Sequence, residues 1–144
     1  MQSTRFSRAC LAALLGTLLL STVTTFAKDG RDFIGFYNVS HVTRQGNDMH
    51  LTLNLKVQNF SNAAVRNAVI TLRQNSAITL VGQSAPIKSL PNHASVKISQ
   101  DFTVSRTEYE TWRQGNQPAV FIIYRNAHGT QLEHFIQLAP GHAF

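Results

Sequence analysis

From His50 to Gln58 the chain alternates without a break. Leu51, Leu53, Leu55 and Val57 are interleaved with Thr52, Asn54 and Lys56. Successive side chains of an extended strand point to opposite faces, so a period of two gives one buried face and one wet face. This stretch is a half-buried β-strand, and the rest of the chain has to be read around it.

Upstream, Phe33 to Val42 is rich in aromatic and β-branched residues and ends in the turn signal Arg44-Gln45-Gly46-Asn47-Asp48. Downstream, Asn59-Phe60-Ser61-Asn62 closes the alternating strand, and Val65 to Arg73 resumes with Ala68, Ile70 and Leu72 on one face. A short apolar piece at Ala77 to Val81 is punctuated by Gly82. Pro86 to Leu90 is extended and ends in the turn Pro91-Asn92-His93. Val96, Ile98, Phe102 and Val104 mark a long strand, and the loss of alternation at Ser99-Gln100 predicts a bulge there.

Ser105 followed by Glu108 has the form of a capping box, which predicts a short helical turn near 105–113. Gly115 and Pro118 end it. Ala119 to Arg125 is β-prone, Asn126-Ala127-His128-Gly129 reads as a hairpin connection, and Thr130 to Leu138 pairs back. Leu132, Ile136 and Leu138 share a face, and the tail from Ala139 is expected to fray. About seven strands at this spacing, with no strand–helix alternation, predict an all-β, immunoglobulin-like β-sandwich. A small barrel is the second choice.

The N-terminus has a different character. Arg5 and Arg8 precede an apolar run from Ala9 to Leu20, then a Ser/Thr stretch ending in Thr25-Phe26-Ala27. That order is a secretory signal peptide, residues 1–27, leaving 28–144 as one sandwich domain. Retention of the leader as an anchor is the alternative, although its apolar run is shorter than the roughly 20 residues a spanning helix needs. No membrane span is expected once it is cut. Residues 28–144 keep 11 of the 13 Lys and Arg and all 7 acids, a net charge of +4. The single cysteine, Cys10, lies inside the leader, so core burial and not disulfides must hold the domain. The expected location is secreted or periplasmic.

Gln45 to Val104 is similar to the bacterial adhesion-type Ig-like modules related to CARDB. The pieces that carry the resemblance are Leu55-Lys56-Val57-Gln58-Asn59-Phe60-Ser61, Ala68-Val69-Ile70-Thr71-Leu72 and Ser89-Leu90-Pro91-Asn92-His93-Ala94-Ser95. The glycine usual after the asparagine is replaced by Phe60-Ser61. The resemblance implies a spacer or binding domain with no catalytic residues.

Chemistry-bearing patterns are sparse. The six histidines, His41, His50, His93, His128, His134 and His142, show no H-x-H or i, i+4 spacing, so no metal site and no cofactor are expected. No sequence feature nominates a pair of facing carboxylates, and no Gly-x-Ser-x-Gly or Gly-rich phosphate loop occurs. The chain is therefore not expected to be an enzyme.

Tyr109, Trp112 and Arg113 form the one local cluster of residue types enriched at binding hot spots. They form a candidate binding patch, although a short helix at a sandwich end more often plugs the core with its aromatics. Asn38-Val39-Ser40 and Asn59-Phe60-Ser61 are formal glycosylation triplets that decide nothing.

The spread of basic residues predicts no nucleic-acid partner and a mild attraction to anionic surfaces. Together these point to an exported, non-catalytic module that binds or scaffolds another envelope protein. The alternative is a small-ligand or carbohydrate binder, less readily a hydrolase, with its site in the end loops.

Overall fold

A computed structural model describes residues 25–26, 32–74 and 79–141, and the expected leader lies outside them apart from Thr25 and Phe26. Ten strand segments and one helix follow one another. They are β1 (Thr25–Phe26), β2 (Phe33–Gln45), β3 (Asp48–Asn59), β4 (Val65–Gln74), β5 (Thr79–Gln83), β6 (Ile87–Leu90) and β7 (Ser95–Ser105), then α1 (Arg106–Arg113), β8 (Ala119–Arg125), β9 (Gln131–Phe135) and β10 (Gln137–Pro140). They form two sheets. The first, here sheet A, has the order β1-β9-β8-β4-β5 with β6 also on β4; sheet B has the order β10-β2-β3-β7.

The alternating segment is the centre of sheet B. Leu51, Leu53, Leu55 and Val57 are all buried, and β3 pairs antiparallel with β2 on one side and β7 on the other. Their partners across the core are Val65, Ala68, Ile70 and Leu72 of β4 and Val120 and Ile122 of β8, within one contiguous cluster. Full burial of each aliphatic side chain contributes about 1.5–3 kcal/mol.

The β2–β3 hairpin turns at Gly46, whose φ of +63° is a left-handed conformation that glycine adopts without penalty. Gly35 of β2 is needed for a different reason. A Cβ there would collide with the Lys56 carbonyl of the paired strand.

The helix forms where the capping box predicts it. Ser105 accepts a hydrogen bond from the Glu108 amide (3.2 Å), and Glu108 accepts one from the Trp112 indole nitrogen (3.0 Å). Trp112 is only 5% exposed and belongs to the core cluster, so the helix closes one end of the sandwich.

Three local expectations are corrected. The β3–β7 register runs unbroken from Asp48↔Ser105 to Gln58↔Ser95, so there is no bulge at Ser99-Gln100. The alternation falters because the inward position opposite Leu53 is held by Gln100, whose side-chain amide donates to the Gln83 carbonyl at 2.7 Å. The irregularity lies in β2 instead, between Ser40 and Thr43, where His41 adopts φ +51°.

The segment from Thr130 to Leu138 is not one strand. Its first part, β9, pairs with β8 in sheet A, and its second, β10, runs parallel to β2 in sheet B. Ile136 marks the crossing, fully buried, with its amide bonded to the Val120 carbonyl at 2.9 Å. Splits of this kind raise the segment count above seven. The end of the chain is ordered further than expected: β10 reaches Pro140, and the Gly141 amide donates to the Tyr37 carbonyl at 2.8 Å.

Candidate functional site

Strand β4 changes partners partway along. Its first half pairs with β6 (Val65↔Leu90, Ala68↔Ile87), and its second half pairs with β8 from Val69↔Ile123 onward. Asn67, at φ +49°, sits at the changeover. Asparagine tolerates this region better than most residues. Because β4 leaves β8 there, the sheet opens into a cleft of about 890 Å³ between the start of β4 and the β8–β9 hairpin. Val65, Val69, Ile123 and Leu132 line it together with Arg66 and Arg125, and among the described residues no acidic one does. The Arg125 guanidinium donates to the Gly129 carbonyl at 2.9 Å, which steadies it on the hairpin.

Tyr124, also in the cleft wall, leads to a buried polar chain. Its hydroxyl lies 3.1 Å from His134 Nε2, and His134 Nδ1 lies 3.5 Å from an Asp32 carboxylate oxygen. The Tyr124 and His134 rings stack, and Phe33 meets both edge-on. Burial pushes the His134 imidazole below its ordinary pKa, and the Asp32 carboxylate opposes that shift. Burial, and then the Asp32 charge, raise the Tyr124 phenol. A phenol held protonated beside a neutral imidazole is a hydrogen-bonding group and not an activated nucleophile. The arrangement ties β8 and β9 of sheet A to the start of β2 in sheet B.

The outer face of sheet B is a ladder of polar side chains. Ser99 donates to Asn54 Oδ1 (2.7 Å), and Asn54 Nδ2 donates to Asn38 Oδ1 (2.8 Å) and Ser40 Oγ (3.0 Å). One rung further, Thr52 donates to Asp101 at 2.6 Å, and the next joins His50 Nδ1 and Thr103 Oγ1 at 2.9 Å. A shallow cleft of about 590 Å³ beside the β2 bulge takes in His41, His50, Thr52, Asp101 and Thr103. At the other end of the face Phe36 is 49% exposed.

The patch nominated from sequence is divided by the fold. Trp112 is turned into the core and Tyr109 is half-buried against it, whereas Arg113 is exposed and pairs with Glu110 at 3.4 Å. The histidines scatter. His41 and His50 share the shallow cleft, His93 stacks edge-on with Phe60, His128 is in the β8–β9 turn and His134 is buried; His142 lies outside the described residues. Among the described residues no three His, Cys, Asp or Glu side chains come together as a metal-holding group.

Asn59 carries more than a turn. Fully buried, it donates to the Leu90 and Ala63 carbonyls (both 2.9 Å) and accepts from the Ser61 amide and hydroxyl. It thereby joins the end of β3 to the β6–β7 turn, and its amide is closed to glycosylation in the folded chain. Only the Asn-x-Ser spacing hinted at it.

No protein-family model matches the chain, and neither does any curated protein at a significant level. Among solved structures, an inactive mutant of the GH20 exo-β-N-acetylglucosaminidase from Vibrio harveyi is similar over 76% of this chain, with 12% sequence identity and a TM-score of 0.44. This chain spans 18% of that one.

Proposed function

We propose that the chain is an exported, non-catalytic β-sandwich that binds another protein of the cell envelope by accepting a strand at the edge of sheet B. The observation that carries this reading is β7. Its eleven residues contain neither proline nor glycine, and within sheet B it pairs with β3 alone. An edge of that length presents a row of main-chain donors and acceptors to an incoming strand. The other strands that end a sheet path, β1, β5 and β10, have two residues, five and four.

Adjacent residues of an antiparallel strand direct their amides to opposite sides. Of Lys97→Pro and Ile98→Pro, one therefore breaks the β3 ladder and one removes an outward donor. The folded variant of the two is expected to lose the envelope partner in co-purification. If it retains the partner at the parental level, edge docking fails.

A second reading, carbohydrate binding, is favoured by the polar ladder on the outer face of sheet B, where amides, hydroxyls and a carboxylate share the face with the exposed Phe36 ring. Retention on insoluble polysaccharide that disappears with Phe36→Ala and Asn54→Ala would favour it over strand docking.

A further inference from the structure

The cleft where β4 parts from β8 is absorbed by neither reading. Its floor is aliphatic, with the half-buried Val69, Ile123 and Leu132 from three strands. Two arginines, Arg66 and Arg125, stand in its wall, and among the described residues no carboxylate lines it with them. Arg66 has no ion-pair or hydrogen-bond partner among the described residues, and Arg125 spends one donor on the Gly129 carbonyl. Guanidinium is the side chain best matched to carboxylate and phosphate oxygens. An apolar floor under two cations complements a ligand that is apolar along its body and anionic at one end. The volume of about 890 Å³ lies in the range of small-molecule sites.

We propose that this cleft binds a single-chain amphipathic anion, with an acyl or alkyl body along Val69, Ile123 and Leu132 and a carboxylate or phosphate head taken by Arg66 and Arg125. The Tyr124 hydroxyl faces His134 and is not part of the head-group cradle. The backbone supports the assignment. Beyond Val69↔Ile123 the strands separate, so the floor is the gap between two diverging strands and not a collapsed core. This ligand site is independent of the β7 edge, so either proposal can fail alone.

Isothermal titration on the full chain, below each amphiphile's micelle concentration, tests it with dodecanoate, dodecyl phosphate, dodecanol and dodecyltrimethylammonium. Saturable one-to-one binding of dodecanoate or dodecyl phosphate is expected, and the stronger of the two identifies the head group. Dodecanol and the cation should bind at least tenfold more weakly. Arg66→Gln and Arg125→Gln should each weaken anion binding about tenfold, the scale of one charge-assisted hydrogen bond. Val69→Glu, which sets a carboxylate on the floor, should abolish it. Fluorescence of the buried Trp112 checks that each variant is folded. Binding of dodecanol equal to that of the anions, binding by folded arginine variants at parental strength, or no binding of either anion overturns the proposal.

Discussion

The two sheets of this sandwich are built to different tolerances. In sheet B, β3 holds β7 in one register through eleven consecutive pairs, and its inward residues are aliphatic at every rung. In sheet A, β4 gives half its length to β6 and half to β8, with a further register shift against β5 at Leu72/Arg73. The outer face of sheet B is internally hydrogen-bonded and carries the smaller of the two clefts, whereas the broken pairing of sheet A leaves the larger one. Regular pairing spends its backbone groups on the fold. A strand that changes partners leaves a gap for something else.

If stability resides mainly in sheet B and its closing helix, the largest loss comes from truncating the plug. Trp112→Ala should lower unfolding stability by about 3–5 kcal/mol in a denaturant titration. A variant as stable as the parent would detach α1 from the core and return Trp112 to the candidate binding residues. Leu53→Ala should cost about 2–5 kcal/mol. Thr52→Ala, one residue away on the wet face, should cost far less. Equal losses would erase the distinction between the two faces of β3.

Asn59→Ala takes the side-chain donor from the buried Leu90 carbonyl and releases the Ser61 turn, and should cost about 1–3 kcal/mol by thermal or chemical melting.

The pH response sharpens the comparison at the seam between the sheets. His134 has its folded pKa lowered, so the unfolded chain takes up the proton first as pH falls. Its contribution is therefore intact above about pH 6.5 and is lost as pH drops from there toward the depressed folded value, at no more than about 1.4 kcal/mol per pH unit. Stability measured across pH 7 to 5 should slope accordingly, and His134→Gln should flatten that part of the profile. Asp32→Asn removes the charge that raises this pKa, so it should extend the slope to lower pH. The smallest effect belongs to Arg113→Ala. Its exposed pair with Glu110 is worth little, and the change should stay within about 0.5 kcal/mol by denaturant midpoint.

The contrast between the sheets also governs what could be read before the structure. Leu51 to Val57 announced β3 because one of its faces is buried and the other wet along the whole run, and Ser105 with Glu108 announced α1 because capping is local chemistry. The division of β4 left no comparable mark. Val65 to Arg73 reads as one strand, and the change of partner at Asn67 depends on where β6 and β8 arrive in space. The crossing at Ile136 was hidden for the same reason, since an apolar residue between two strands looks like one more inward position. Of the candidate sites, only Tyr109, Trp112 and Arg113 were visible as a sequence cluster. Arg66 and Arg125 lie 59 positions apart and come to line one cleft only through the topology.

The parallel pairing of β10 with β2 sets how the molecule carries mechanical load. Gln137 to Pro140 runs alongside Ile34 to Tyr37 in the same direction, near the two ends of the described chain. A tether pulling the start of β2 one way and the end of β10 the other loads all of these rungs together, in shear. An antiparallel pair pulled from adjacent ends would open one rung at a time. A chain held between a surface and a partner would therefore resist extension through this short ladder before its core is exposed. Single-molecule pulling from the two ends should show a higher rupture force than pulling across the β8–β9 hairpin.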